Sequence, residues 1–204
     1  MVKVKVCGIT EPEDARVAAD AGADAIGLVF AESPRRVNVE RAREVAAALP
    51  ESILKVGVFV DEELDEVLRI AREVGLDYAQ LHGGEDPKTV AEIRSGGLGV
   101  IKALRVRDEG SLEGMSEYDA DLFMLDAYSE KAQGGTGTRF DWELAKALRG
   151  YAKILVSGGL SPENVREAIE FFEPYGVDAS SSLEVRPGKK NGELVRRFVS
   201  AAKG

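Results

Sequence analysis

From one end to the other, short runs rich in β-branched and apolar residues alternate with longer amphipathic stretches. The short runs are Val2–Cys7, Ala25–Phe30, Val56–Val60, Tyr78–Leu81, Val100–Leu104, Leu122–Asp126, Ile154–Ser157 and Val177–Ser180, and they read as eight strands. Helical patterns follow them around residues 12–20, 39–49, 62–74, 87–95, 109–117, 141–148, 162–172 and 191–202. Two helix starts carry a cap, a proline and an acid, Thr10-Glu11-Pro12-Glu13 and Ser161-Pro162-Glu163. Gly22, Gly75 and Gly96 fall near helix ends, where a left-handed residue is wanted. Strict alternation implies parallel strands, since each helix carries the chain back to the starting edge of the next strand. Eight such units in 204 residues predict an α/β fold, a single (β/α)8 barrel near the lower size limit of about 200 residues. The competing open, doubly wound sheet usually has fewer strands, and no G-x-G-x-x-G follows the first strand. Neither a linker nor a shift in composition divides residues 1–204, so one domain is expected.

Charge and cysteine content narrow the function classes. The 27 Lys+Arg against 36 Asp+Glu leave a net charge of -9. This argues against nucleic acid and anionic membranes as partners, which need a basic surface. A small anion in a locally positive pocket stays open. One cysteine forms no internal disulfide and points to a reducing compartment. No window approaches the roughly 18 apolar residues of a membrane span, and the start lacks the apolar core of a secretory signal, so a cytoplasmic protein is expected. A single His and a single Cys exclude a His/Cys zinc cluster within the chain; no metal and no cofactor is expected.

Barrel chemistry sits at the C-terminal ends of the strands. Cys7 closes strand 1 just before Gly8, and Asp126 closes strand 6, on the same face. A buried cysteine is ordinarily inert, and a carboxylate after a strand is ordinarily a cap. With no nucleotide motif, a thiol and a carboxylate at one mouth suggest proton transfer, an isomerisation or elimination. A thiol with a pKa of about 8.5 needs nearby positive charge to act as a base. Covalent thioester chemistry normally pairs Cys with His, and the sole histidine, His82, lies on strand 4. His82 either meets substrate or satisfies a buried hydrogen bond. Arg35 and Arg36 follow strand 2 and suit a carboxylate or phosphate; spacing does not choose between them or exclude plain surface charge. Ser157-Gly158-Gly159-Leu160 after strand 7 and Asp178-Ala179-Ser180-Ser181 after strand 8 occupy the positions where barrels hold a phosphate on backbone N–H groups. Residues 127–140, with Gly134-Gly135-Thr136-Gly137, exceed the ~2–6 residues of an ordinary barrel turn and read as a lid.

Taken together these stretches resemble the phosphoribosylanthranilate isomerase family of tryptophan biosynthesis. Lys5-Val6-Cys7-Gly8-Ile9-Thr10, Gln80-Leu81-His82-Gly83 and Phe140-Asp141-Trp142 carry the resemblance most specifically, and the matching segments run from residue 5 to residue 181. The resemblance implies an Amadori rearrangement of N-(5-phosphoribosyl)anthranilate, a small phosphosugar substrate. By motif, it implies Asp126 as general acid on the furanose ring oxygen and Cys7 as general base at C2. It places Arg35 at the anthranilate carboxylate. Gly158, Gly159, Ser180, Ser181 and the Gly135 loop fall at the phosphate, and His82 and Asp178 at pocket positions. The related isomerase of histidine biosynthesis, or a dual-substrate version, is the rival enzyme reading; those barrels typically carry two strand-end aspartates, whereas strand 1 here ends in Cys7. A barrel that only binds a phosphosugar is disfavoured by the presence of both Cys7 and Asp126. A monomer or a homodimer is expected.

Overall fold

The computed structural model describes residues 1–127, 142–151 and 153–204. Eight parallel strands close into a barrel in chain order. They are β1 (Lys3–Cys7), β2 (Ala25–Val29), β3 (Leu54–Phe59), β4 (Tyr78–Leu81), β5 (Gly99–Val106), β6 (Leu122–Ala127), β7 (Ile154–Val156) and β8 (Gly176–Ala179). The ring closes where β8 pairs with β1, from Lys3 opposite Gly176 to Val6 opposite Ala179. Outside it lie α1 (Pro12–Asp20), α2 (Val39–Ala47), α3 (Leu64–Val74), α4 (Pro87–Ser95), α5 (Val165–Phe172) and α6 (Gly192–Lys203).

Successive strand residues point to opposite faces, and in a barrel one face is the interior. Val4, Val6, Ala79, Leu81, Phe123 and Leu125 belong to the large apolar core shared with the helices. Ala25, Val56, Ile101, Ala103, Met124 and Leu155 form a separate cluster inside the barrel. Cys7, Val29 and Val58 make a third, small cluster higher up, at or near the outgoing strand ends.

Several local expectations are corrected. Residues 109–117 do not form an α-helix; Glu109–Leu112 and Met115–Glu117 are two short 3-10 turns. Gly114 between them has φ +73°, a left-handed residue that a continuous right-handed helix does not accommodate. Trp142–Leu148 is also 3-10 rather than α. Helix α5 begins only at Val165. Before it, Ser161 Oγ accepts from the Glu163 N–H at 3.2 Å and Asn164 Oδ1 accepts from the Ser161 N–H at 2.8 Å, closing a turn instead of capping a helix at Pro162. Thr10 does not cap α1: its hydroxyl donates to the Gly188 carbonyl at 2.6 Å, and the N-cap position is Glu11. Gly75 ends α3 in the left-handed region, but after α4 that role falls to Gly97 rather than Gly96.

The stretch between β8 and α6 holds an element that periodicity did not reveal. Strands β9 (Glu184–Arg186) and β10 (Lys189–Lys190) form a small antiparallel hairpin turned by Pro187-Gly188. It is fastened to α1 through Asp14, which accepts from Lys189 Nζ at 2.7 Å and from the Lys190 N–H at 2.9 Å. Among the described residues, no helix is long and apolar enough to cross a membrane.

Candidate active site

The pocket at the C-terminal mouth is built largely from inward-facing residues at or just past the outgoing ends of the strands. Cys7 on β1, His82 just past β4, Asp126 on β6, Ser157 just past β7 and Asp178 on β8 all line it. Two residues earlier on the same strand lies the same side of the sheet. That parity places Lys5 beneath Cys7 and Gln80 beneath His82, at only 3% and 1% exposure.

Lys5 Nζ donates to Asp178 Oδ1 at 2.8 Å, and Ser157 Oγ donates to Asp178 Oδ2 at 3.0 Å. Burial works against the Lys5 ammonium, but Asp178 and Cys7 outweigh it and hold Lys5 charged. Burial pushes the Cys7 thiol up; Lys5 and Lys190 pull it down, Asp178 adds to the rise, and the net direction is up. The sulfur has its place because β2 carries a glycine opposite it. A Cβ on Gly27 would come within 2.6 Å of Cys7 Sγ.

His82 sits between two side chains. Gln80 Nε2 lies 3.0 Å from Nδ1, and Asp126 Oδ2 lies 3.0 Å from Nε2. All three are buried.

The structure separates the two arginines. Arg35 lines the pocket, whereas Arg36 is exposed and lies outside it, its backbone bridged to Val29. The Arg35 stem crosses Gly8, where φ is +75° and a Cβ would meet Arg35 Cδ at 2.5 Å. Its fork donates to both carboxylate oxygens of Glu184, from Nε at 2.9 Å and Nη2 at 2.8 Å. Lys190 Nζ donates to Glu184 Oε1 at 2.8 Å and to the Ser180 carbonyl at 3.2 Å. Burial raises the Glu184 carboxyl, but Arg35 and Lys190 prevail and hold it below the usual carboxylate range.

Gly158 and Gly159 are consecutive left-handed residues, φ +81° and +70°, and they line the pocket beside Ser180 and Ser181. Ser182 Oγ donates to the Leu160 carbonyl, tying the loop after β8 to the loop after β7. Gly135 and most of the expected lid, residues 128–141, lie outside the described residues. Lys5, Gln80, Glu184 and Lys190 were not foreseen as parts of this site. Strand parity would have found the first two, since an inward Cys7 makes Lys5 inward and an inward His82 makes Gln80 inward.

A closed parallel barrel with its pocket at the C-terminal mouth has the build of a (β/α)8-barrel enzyme. Comparison with known proteins narrows the class. The sequence model of N-(5'-phosphoribosyl)anthranilate (PRA) isomerase matches residues 4–201, and the chain belongs to that family. An N-(5'-phosphoribosyl)anthranilate isomerase of Rubrobacter xylanophilus is 71% identical over 205 residues, covering 100% of both chains. Among solved structures, monomers of the dimeric phosphoribosylanthranilate isomerase of Thermotoga maritima superpose with a TM-score of 0.90 at 39% identity, covering 100% of each chain. A phosphoribosylanthranilate isomerase in complex with reduced 1-(o-carboxyphenylamino)-1-deoxyribulose 5-phosphate gives 0.88 at 39% identity, again over 100% of each chain.

Proposed function

We propose that the chain performs the Amadori rearrangement of N-(5-phosphoribosyl)anthranilate in tryptophan biosynthesis, with Asp126 as general acid and Cys7 as general base. Asp126 protonates the furanose ring oxygen. The C1–O bond breaks with its electron pair going to that oxygen, and the anthranilate nitrogen lone pair forms the C1=N bond of a Schiff base. The Cys7 thiolate then takes the C2 proton; the C–H electrons become the C1=C2 bond, and the C=N electrons return to nitrogen. The resulting enolamine loses its C2 hydroxyl proton and gains one at C1, which yields the ketone. Lys5 and Lys190 supply the positive charge that a thiolate needs. Arg35 meets the anthranilate carboxylate, and the loops carrying Gly158, Gly159, Ser180 and Ser181 hold the phosphate. All the groups named lie on one chain, so a monomer or a homodimer serves equally.

The observation that carries this reading is the shared pocket: Cys7 and Asp126 end separate strands and open on one cavity whose rim carries Arg35. Cys7→Ala and Asp126→Asn should each lower turnover by roughly 10²–10⁴, the worth of one proton-transfer group, while product binding stays within a few-fold. Loss of the fluorescent anthranilate adduct reads the rate. Near-normal kcat in either variant would remove the role given to that residue.

A further inference from the structure

Gln80 is almost fully buried, at 1% exposure, and its amide reaches the ring of His82 rather than another polar group. An amide nitrogen carries two N–H groups and no lone pair able to accept. With the amide in this orientation and Nε2 at 3.0 Å, His82 Nδ1 is the acceptor. A neutral imidazole with a bare Nδ1 carries its proton on Nε2, and Nε2 lies 3.0 Å from Asp126 Oδ2. The orientation has a cost: Gln80 Oε1 is buried with no hydrogen-bond partner among the described residues. Turning the amide over would set Oε1 against the Nδ1 lone pair unless the ring moved its proton. Amide orientation and imidazole tautomer are one coupled choice.

The backbone around the ring leaves little else to adjust. Arg105 on β5 donates to the His82 carbonyl at 2.7 Å. Glu85 accepts from the Gly83 N–H at 3.0 Å and pairs with the buried ammonium of Lys102 at 2.7 Å. Asp126 on β6 is the ionisable side chain hydrogen-bonded to the ring.

We infer that Gln80 is a positioning residue that locks His82 as a neutral Nε2–H donor to Asp126 Oδ2, so that the proton Asp126 delivers resides on Oδ1. This rests on the acid role proposed for Asp126. A donor fixed on Oδ2 keeps the acid proton off that oxygen, and the same N–H stabilises the carboxylate left when the Oδ1 proton has passed to the substrate's ring oxygen. With the other tautomer, the bare Nε2 would draw the Asp126 proton onto Oδ2 and hold it between acid and histidine.

His82 is the only histidine in the chain, so an imidazole ¹⁵N spectrum reports one ring without assignment. At pH 7 the protein should show the Nε2–H tautomer. Gln80→Glu keeps the shape but offers only acceptors, and should move a proton onto Nδ1; Gln80→Met offers neither and should give a mixture. Both variants should lower kcat by about 10–100-fold, as when an outer partner that orients a functional histidine is lost, with KM and product affinity changed only a few-fold. Should one variant not fold, the other carries the test. An Nδ1–H or doubly protonated ring in the unmodified protein overturns the inference, as does an unchanged tautomer in the variants. A shifted tautomer with unchanged kcat overturns it too. Asp126→Asn, assayed alongside, separates the two ideas: full activity there removes the acid role, while the ring spectra still decide whether Gln80 sets the proton.

Discussion

The base role proposed for Cys7 falls in a place that disfavours its charge. Burial lifts its thiol above the ordinary value, and two lysines only partly offset that rise. Less thiolate is therefore present at neutral pH than in a free peptide. A small alkylating agent should react slowly with this single cysteine at pH 7 and gain about tenfold per pH unit up to the raised value, because only the thiolate reacts. Lys5→Met removes a charge that pulls the thiol down and should slow alkylation further at every pH below that point. Intact mass measures both, and equal or faster labelling in Lys5→Met would show that Lys5 does not act on the sulfur. The arginine pair makes a second test. Arg35→Ala should weaken a carboxylate-bearing product by about 1.5–3 kcal/mol, roughly 10–150-fold, the worth of a charge-assisted contact. Inorganic phosphate should bind as before, and Arg36→Ala should cost little, since that side chain is exposed outside the pocket. Calorimetric titration of both ligands decides it, and equal losses from the two variants would place the carboxylate elsewhere.

Among the elements, the β9–β10 hairpin does more than connect β8 to α6. The side chains of its Glu184 and Lys190 are both buried, and together with Arg35 they form one charged cluster. The cluster orients Arg35 across Gly8, and through the Ser180 carbonyl it reaches the loop after β8. Glu184→Gln would leave the fully buried Lys190 ammonium and the pocket-lining Arg35 without their anion. Breaking a buried pair on one side costs about 3–5 kcal/mol, and urea unfolding should show a loss of that size. A loss no larger than that of a surface pair, about 0–1 kcal/mol, would mean the hairpin is not fastened by its charges. Most strands and α-helices were legible where an apolar or periodic pattern marks them. This hairpin was not legible, because its strands are only three and two residues long and, unlike the equally short Ile154–Val156, are mostly charged.

At the scale of the whole molecule, the barrel depends on its first and last segments meeting. Asp24, just before β2, draws three of them together. It accepts from Lys3 Nζ at 3.0 Å and from the Val4 N–H at 2.9 Å, and it pairs with Lys203 at the end of α6 at 2.9 Å. Burial raises this carboxyl, but Lys203, the Val4 N–H and Lys3 outweigh it, so its pKa in the folded chain lies below the ordinary value. A depressed carboxylate stabilises the fold fully above its unfolded pKa of about 4 and loses that contribution as pH falls through the folded value. Asp24→Asn should therefore destabilise the protein at pH 7 by about 1–2 kcal/mol. The gap should persist to about pH 4 and close only below it. Unfolding curves across that range test the sign; a gap that widened toward acid would contradict it.

The eight strands of the barrel, their parallel order and the outgoing ends that carry Cys7 and Asp126 were all legible in the amino-acid sequence. The physical reason is that these follow from local patterns: β-branched alternation, amphipathic spacing and turn residues act over a few neighbours. Partnerships inside the barrel are of another kind. Lys5 and Asp178 are 173 residues apart, Arg35 and Glu184 are 149 apart, and His82 and Asp126 are 44 apart. Each pairing depends on strand register, on closure of β1 against β8, and on which residues of a strand face inward. The lysine in Val4-Lys5-Val6 resembles any exposed charge on an amphipathic strand until the ring closes and its face becomes the interior. Arg35 and Arg36 are chemically identical neighbours in the sequence, and only the fold, by laying one stem over Gly8, turns one toward the pocket and the other to water.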